Sequence, residues 1–130
     1  MSYYITKHTD LSFSEALEKA INELKNEGFG VITTIDVKDT LKQKLDVEFR
    51  NYTILGACNP HYAHQALNID DKIGTLLPCN VIIQETDEGT EVSAIDPHES
   101  MKAIIADEVV ELSKQITAKL TNVINNIPLH

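Results

Sequence analysis

The run Ser12-Phe13-Ser14-Glu15-Ala16-Leu17-Glu18-Lys19-Ala20-Ile21-Asn22-Glu23-Leu24-Lys25-Asn26-Glu27-Gly28-Phe29 sets the architecture of this chain. Ser12 followed three residues later by Glu15 has the form of a capping box, in which each side chain satisfies the other residue's backbone N–H. Phe13, Ala16, Leu17, Ala20, Ile21 and Leu24 then recur at the three-and-four spacing of one helical face. Gly28 supplies the permissive residue that commonly follows a helix. A helix so bounded carries one apolar stripe, and that stripe needs a surface to cover.

The flanks supply that surface. Ser2 to Thr6 upstream is aromatic and β-branched, and Phe29 to Ile35 downstream is a β-branched run, so both predict strands in a β-α-β opening. Asp36 is placed to cap a short amphipathic helix in which Val37, Leu41 and Leu45 recur every four residues, leaving Lys38, Lys42 and Lys44 in water. Tyr52 to Ala57 predicts a third strand ending at Cys58, and Asn59-Pro60 has the cap-then-proline form of a helix start. Ile73 to Glu85 contains Pro78, which donates no ladder hydrogen bond, so the strand is expected to break there and resume as Cys79 to Glu85. Asp87-Glu88-Gly89 is a turn, and Thr90 to Ile95 returns as the second strand of a hairpin.

The last element is expected to run from Ala103 to Asn126, with Ile105, Val109, Leu112, Ile116, Leu120, Val123 and Ile127 at alternating steps of three and four. At 1.5 Å per residue this helix would be ~35 Å long. Ile104, Val110 and Ile124 widen its stripe; the simpler reading is a helix that covers only its own sheet, the alternative one that also meets a second copy of the chain.

Length and charge narrow the class. A chain of 130 residues is sized for a single domain, spanning 1–130, with one core. Its 42% hydrophobic and 24% charged residues are ordinary for a soluble globular protein. A formal charge of −9 argues against nucleic-acid binding, which depends on Lys and Arg neutralising phosphates. Met1 to His8 shows no charged leader followed by an apolar run, and no window approaches the ~20 apolar residues of a membrane span. The expectation is a cytoplasmic protein that does not engage membrane, with its two cysteines as thiols rather than a structural disulfide.

Both cysteines lie in two segments that hold the candidate site: Ala57-Cys58-Asn59-Pro60-His61-Tyr62-Ala63-His64 and Leu76-Leu77-Pro78-Cys79-Asn80. Cys58 falls between a predicted strand and the N-terminus of a predicted helix, where unpaired N–H groups and the helix dipole favour thiolate. The bland alternative is a small buried hydrophobe at the end of an apolar strand. Alternation along the resumed strand directs Cys79 inward with Val81 and Ile83. His61 and His64, three apart, project from one side of the proposed helix and with Cys58 and Cys79 would complete a four-residue metal set for zinc or another soft transition metal. The order of that set is not a standard zinc pattern, and each histidine alone reads more simply as solvated helix surface. Asp96-Pro97-His98-Glu99 is a turn and cap, and Asp70-Asp71-Lys72 a solvated turn. The sequence has no glycine-rich phosphate loop, nucleophile elbow or His-Glu-x-x-His.

At these segments the chain resembles the DUF302 family, small bacterial and archaeal proteins of unassigned function. The likeness runs through the first helix with Gly28-Phe29, then Ile54-Leu55-Gly56-Ala57-Cys58-Asn59-Pro60 with Ala63 and Ala66-Leu67, then Gly74 to Asn80, and finally Asp96-Pro97 before the last helix. The resemblance implies an α+β fold like that of the TATA-box-binding protein, a curved antiparallel sheet with helices packed on one face and a long C-terminal helix, and a tendency to form a homodimer. It implies a site insofar as Cys58, Asn59, Pro60, Pro78, Cys79 and Asn80 occupy the recurring positions.

Three functions stand side by side at this stage. The first is a dimeric, non-enzymatic binding module whose cleft near Cys58 and Cys79 takes a small-molecule ligand or a soft metal ion. The second is thiol redox work, with Cys58 attacking and Cys79 resolving, which requires the two to be close and exposed. The third is a structural or partner-binding dimer in which both cysteines merely pack.

Overall fold

The capping box forms as the sequence predicts. The Glu15 N–H donates to Ser12 Oγ at 3.2 Å, and the Ser12 N–H donates to Glu15 Oε1 at 3.0 Å, opening α1 (Phe13–Asn26). In the computed structural model, which describes residues 2–104 and 106–129, this helix follows β1 (Tyr4–Thr9) and leads to β2 (Gly30–Asp36). Next come α2 (Val37–Leu45), β3 (Tyr52–Cys58), α3 (Pro60–Ile69), a 3-10 helix (Asp71–Leu76), β4 (Cys79–Thr86), β5 (Gly89–Ile95), α4 (Pro97–Ser100) and α5 (Asp107–Asn125).

The five strands form one open sheet in the order β1-β5-β4-β3-β2, and every neighbouring pair is antiparallel. β1 and β2, joined by α1, therefore occupy opposite edges, with three later strands between them. Register explains the core. Ile5, Ala94, Val81 and Leu55 are successive cross-strand partners and so share one face. Against it α1 buries Ala16, Ala20 and Leu24, while α5 buries Ile116, Leu120, Val123 and Ile124. The reverse face carries the row Thr6, Ser93, Ile82, Ile54 and Ile35. A second cluster of Ala66, Ile73, Met101, Val109 and Leu112 lies where α3 and the 3-10 helix meet the start of α5.

The expected long helix is shorter and later than its periodicity suggested. α5 begins at Asp107, after Ala106, whose side chain has no oxygen with which to cap. Its 19 residues make it ~28 Å long. The preceding segment forms α4, where the Met101 N–H bonds to Pro97 O at 2.9 Å, and then a turn in which the Ile104 N–H bonds to Met101 O at 3.0 Å. Met101 is buried and Ile104 packs on the second cluster, so these apolar residues serve the core from a turn. Ile105, counted in the periodicity, lies outside the described residues.

Smaller differences have local causes. Asp70 does not sit in a plain solvated turn; its Oδ1 accepts the Lys72 N–H at 3.0 Å and caps the 3-10 helix. β1 continues past Thr6 to Thr9, because β5 offers partners as far as Thr90. Asp36 does cap α2, accepting the Asp39 N–H at 2.9 Å, and the strand resumes at Cys79 as expected, but Ile73 to Leu76 belongs to the 3-10 helix, so no strand stands before Pro78. No described helix is long and apolar enough to cross a membrane.

Candidate functional site

Antiparallel pairing of β3 with β4 brings the two cysteine segments together. Ala57 and Cys79 are partners at the end of the ladder, so Cys58 lies one residue beyond the partner of Cys79. β3 must reach this end without bulk at Gly56. A Cβ there would collide with Thr33 Oγ1 and lie 2.9 Å from Pro78 Cγ. Glycine is required by this close approach, its own backbone being ordinary strand. Leu77-Pro78 is joined by a cis peptide bond, after which β4 begins.

Both cysteines are free thiols, Cys79 buried and Cys58 half-buried. Burial pushes the Cys79 thiol up to about 11, and the charge that Cys58 carries when ionised adds to the shift. Cys79 is therefore a neutral thiol at physiological pH.

Around them lies an apolar cavity of about 330 Å³. Ala57 and Cys79 form its wall at the sheet, Tyr62, Ala63 and Ala66 its wall at α3, and Val109, Leu112 and Ile116 its wall at α5. The cavity thus touches both hydrophobic clusters. Its few polar groups include Cys58, Asn59 and Ser113, and the Ser113 hydroxyl already donates to Val110 O at 2.7 Å. At the rim the β2 register shifts between Val31 and Thr33, and Ile32 is left exposed.

The residues singled out from sequence separate by position. Cys58, Asn59, Pro78 and Cys79 line the cavity. Pro60 is exposed at the first position of α3, and Asn80 lines the opposite face of the sheet with Tyr4 and Ile95, so neither borders it. Asn59 occupies the cap position but makes no side-chain cap; its Nδ2 donates to Glu27 O at 3.4 Å, tying the start of α3 to the end of α1. His61 and His64 are exposed and stand outside the cavity. Among the described residues no three of His, Cys, Asp and Glu come together in a group that would hold a metal ion. Sequence reasoning missed Tyr62, Leu112 and Ile116 as lining residues. The available signal was the pair of small residues Ala63 and Ala66, which leave α3 unable to fill the space beneath it.

An open five-stranded antiparallel sheet, covered on one face and holding an apolar cavity at one end, defines a small α+β domain with a ligand-sized interior space. The family described as "Domain of unknown function DUF302" matches residues 5–127, and the chain belongs to it. The crystal structure of an uncharacterized conserved DUF302 protein from Bacillus stearothermophilus is similar to this one with a TM-score of 0.92. The two are 24% identical, over 98% of this chain and 100% of that one, which shows a shared fold. A search of curated proteins finds no match.

Proposed function

We propose that this protein is a binding module for a small, largely apolar ligand held in the cavity between the sheet end, α3 and α5. The observation that carries the reading is the cavity itself, of about 330 Å³ and walled by small and aliphatic side chains from three elements. That volume lies within the range of small-molecule sites, and its scarce polar groups suit orientation of a ligand rather than recognition of a charge inside the cavity.

The burial of Cys79 supports this version over redox exchange. A buried thiol held neutral at physiological pH is not a ready resolving nucleophile. Cys58 and Cys79 serve here as soft, polarizable wall contacts.

The experiment is a titration with N-phenyl-1-naphthylamine, a neutral apolar fluorophore. Saturable one-to-one binding is expected, together with its loss in Ala63→Phe, which places a ring in the cavity, while the circular dichroism spectrum stays native. Binding that fails to saturate, or that survives Ala63→Phe in the folded variant, removes this reading.

A further inference from the structure

Outside the cavity, across Asn59 and Tyr62, lies a groove of different chemistry. These two residues line both spaces, so the two adjoin there. The groove adds His61 and Gln65 from α3 and Gln115 and Lys119 from α5. Where the cavity is walled mostly by apolar groups, the groove offers amides, an imidazole, an ammonium and the Glu27 carboxylate.

Lys119 is the distinctive member. It is half-buried, yet it makes no ion pair or side-chain hydrogen bond with the described residues. The chain has 20 carboxylate side chains against 11 of Lys and Arg, so an unpaired ammonium here is not explained by a shortage of acids. Glu27, the carboxylate of the same groove, accepts instead from Asn122 Nδ2 at 3.5 Å. An unmatched cation beside an apolar cavity is complementary to a molecule that is apolar along its body and anionic at one end.

We infer that the ligand is an anionic amphiphile, an alkyl or acyl carboxylate of modest length, with its body in the cavity and its head group in the groove beside Lys119. This rests on the cavity being a ligand site, and adds the ligand's class and direction. Asn59 and Tyr62 flank the junction, where the amide and phenol meet the polar end of the chain. Lys119 holds the head group by charge, and the partly wetted groove keeps that contribution modest.

The test compares octanoate, octan-1-ol and octylamine, titrated separately into the full chain at pH 7.5 and followed by amide chemical shifts. Octanoate is expected to bind about threefold to fivefold more tightly than octanol, the size of a partly exposed charge pair. Lys119→Gln brings octanoate down to the affinity of octanol, whereas Lys114→Gln, on an exposed part of the same helix, keeps the preference. Equal binding of octanoate and octanol to the unaltered protein, a preference for octylamine, or a preference that survives Lys119→Gln overturns the head-group assignment and leaves the cavity reading standing. Failure of all three compounds to bind overturns both.

Discussion

Cys79 stands one residue out of register with Cys58 at the end of the β3–β4 ladder, directly opposite Ala57, and the two neighbouring thiols are free. They share a cavity wall but not an environment, since Cys58 is half-buried and Cys79 buried. Their chemistry should differ accordingly.

With iodoacetamide at pH 8, Cys58 is expected to be carbamidomethylated first, and Cys79 only slowly while the fold persists. Burial denies the reagent access to Cys79 and also suppresses its thiolate. Peptide mass spectrometry against time reads the two rates separately. In urea the difference should collapse, and equal rates in the native protein would contradict the assignment.

The same shift links stability to pH. The Cys79 thiol rises from an ordinary 9.0 to about 11 in the fold, so the native state holds its proton more tightly than the unfolded chain. Its contribution is fully present below pH 9.0 and is lost as the pH rises through about 11, because only the unfolded chain ionises in between. The loss across that window is on the order of 2 to 3 kcal/mol. Urea denaturation at pH 8 and pH 10.5 should therefore show a steeper decline for the unaltered protein than for Cys79→Ala, which has no thiol to ionise. Parallel declines would sink the argument.

Gly56→Ala is expected to destabilise the fold by ~1–3 kcal/mol, the usual range for forcing a methyl into filled space. Thr33 Oγ1 and Pro78 Cγ occupy the position its Cβ would take. Gly30→Ala is the control, since nothing lies within 4 Å of a Cβ there. Thermal melts of the two variants should separate clearly, and similar melting temperatures would show that Thr33 and Pro78 yield without cost.

Asp96 joins two helices through one oxygen. Its Oδ1 accepts the His98 N–H at 3.1 Å, capping α4, and the Thr117 hydroxyl at 2.8 Å, anchoring α4 to α5. Asp96→Ala should cost ~1–2 kcal/mol through the lost cap and bond. Thr117→Val should cost less, and the double variant less than the sum, because both remove one shared contact. Additive losses in chemical denaturation would mean that the bond between them contributes nothing.

Much of this could be read from the residues, and the failures have local reasons. α1 was legible because Ser12, Glu15 and the apolar spacing all point to one helix start. The start of α5 was not, because Met101 and Ile104 prolong an apolar rhythm that belongs to a buried turn, and Ala106 gives no capping signal. Asn59 has the right chemistry for a cap, but the end of α1 brings the Glu27 carbonyl within its reach. The closeness of the cysteine segments followed from expecting consecutive strands to pair. A cleft near them was expected, but its walls were not legible, since empty space depends on how α3 and α5 jointly fail to fill the sheet end.

The placement of β1 bears on how the chain is made. Among the described residues its only neighbour is β5, and Tyr4 is partnered by Ile95, so β1 leaves the ribosome well before the strand it pairs with has been synthesised. At cellular elongation rates that interval is on the order of ten seconds. Throughout it Tyr4 to Thr9 lacks the β5 partner it has in the fold, and an exposed strand edge is a template for other chains. Lys7 and His8 in its middle make this strand a poor template for a neighbouring nascent chain, while leaving it able to pair with Val92 and Glu91 when they arrive.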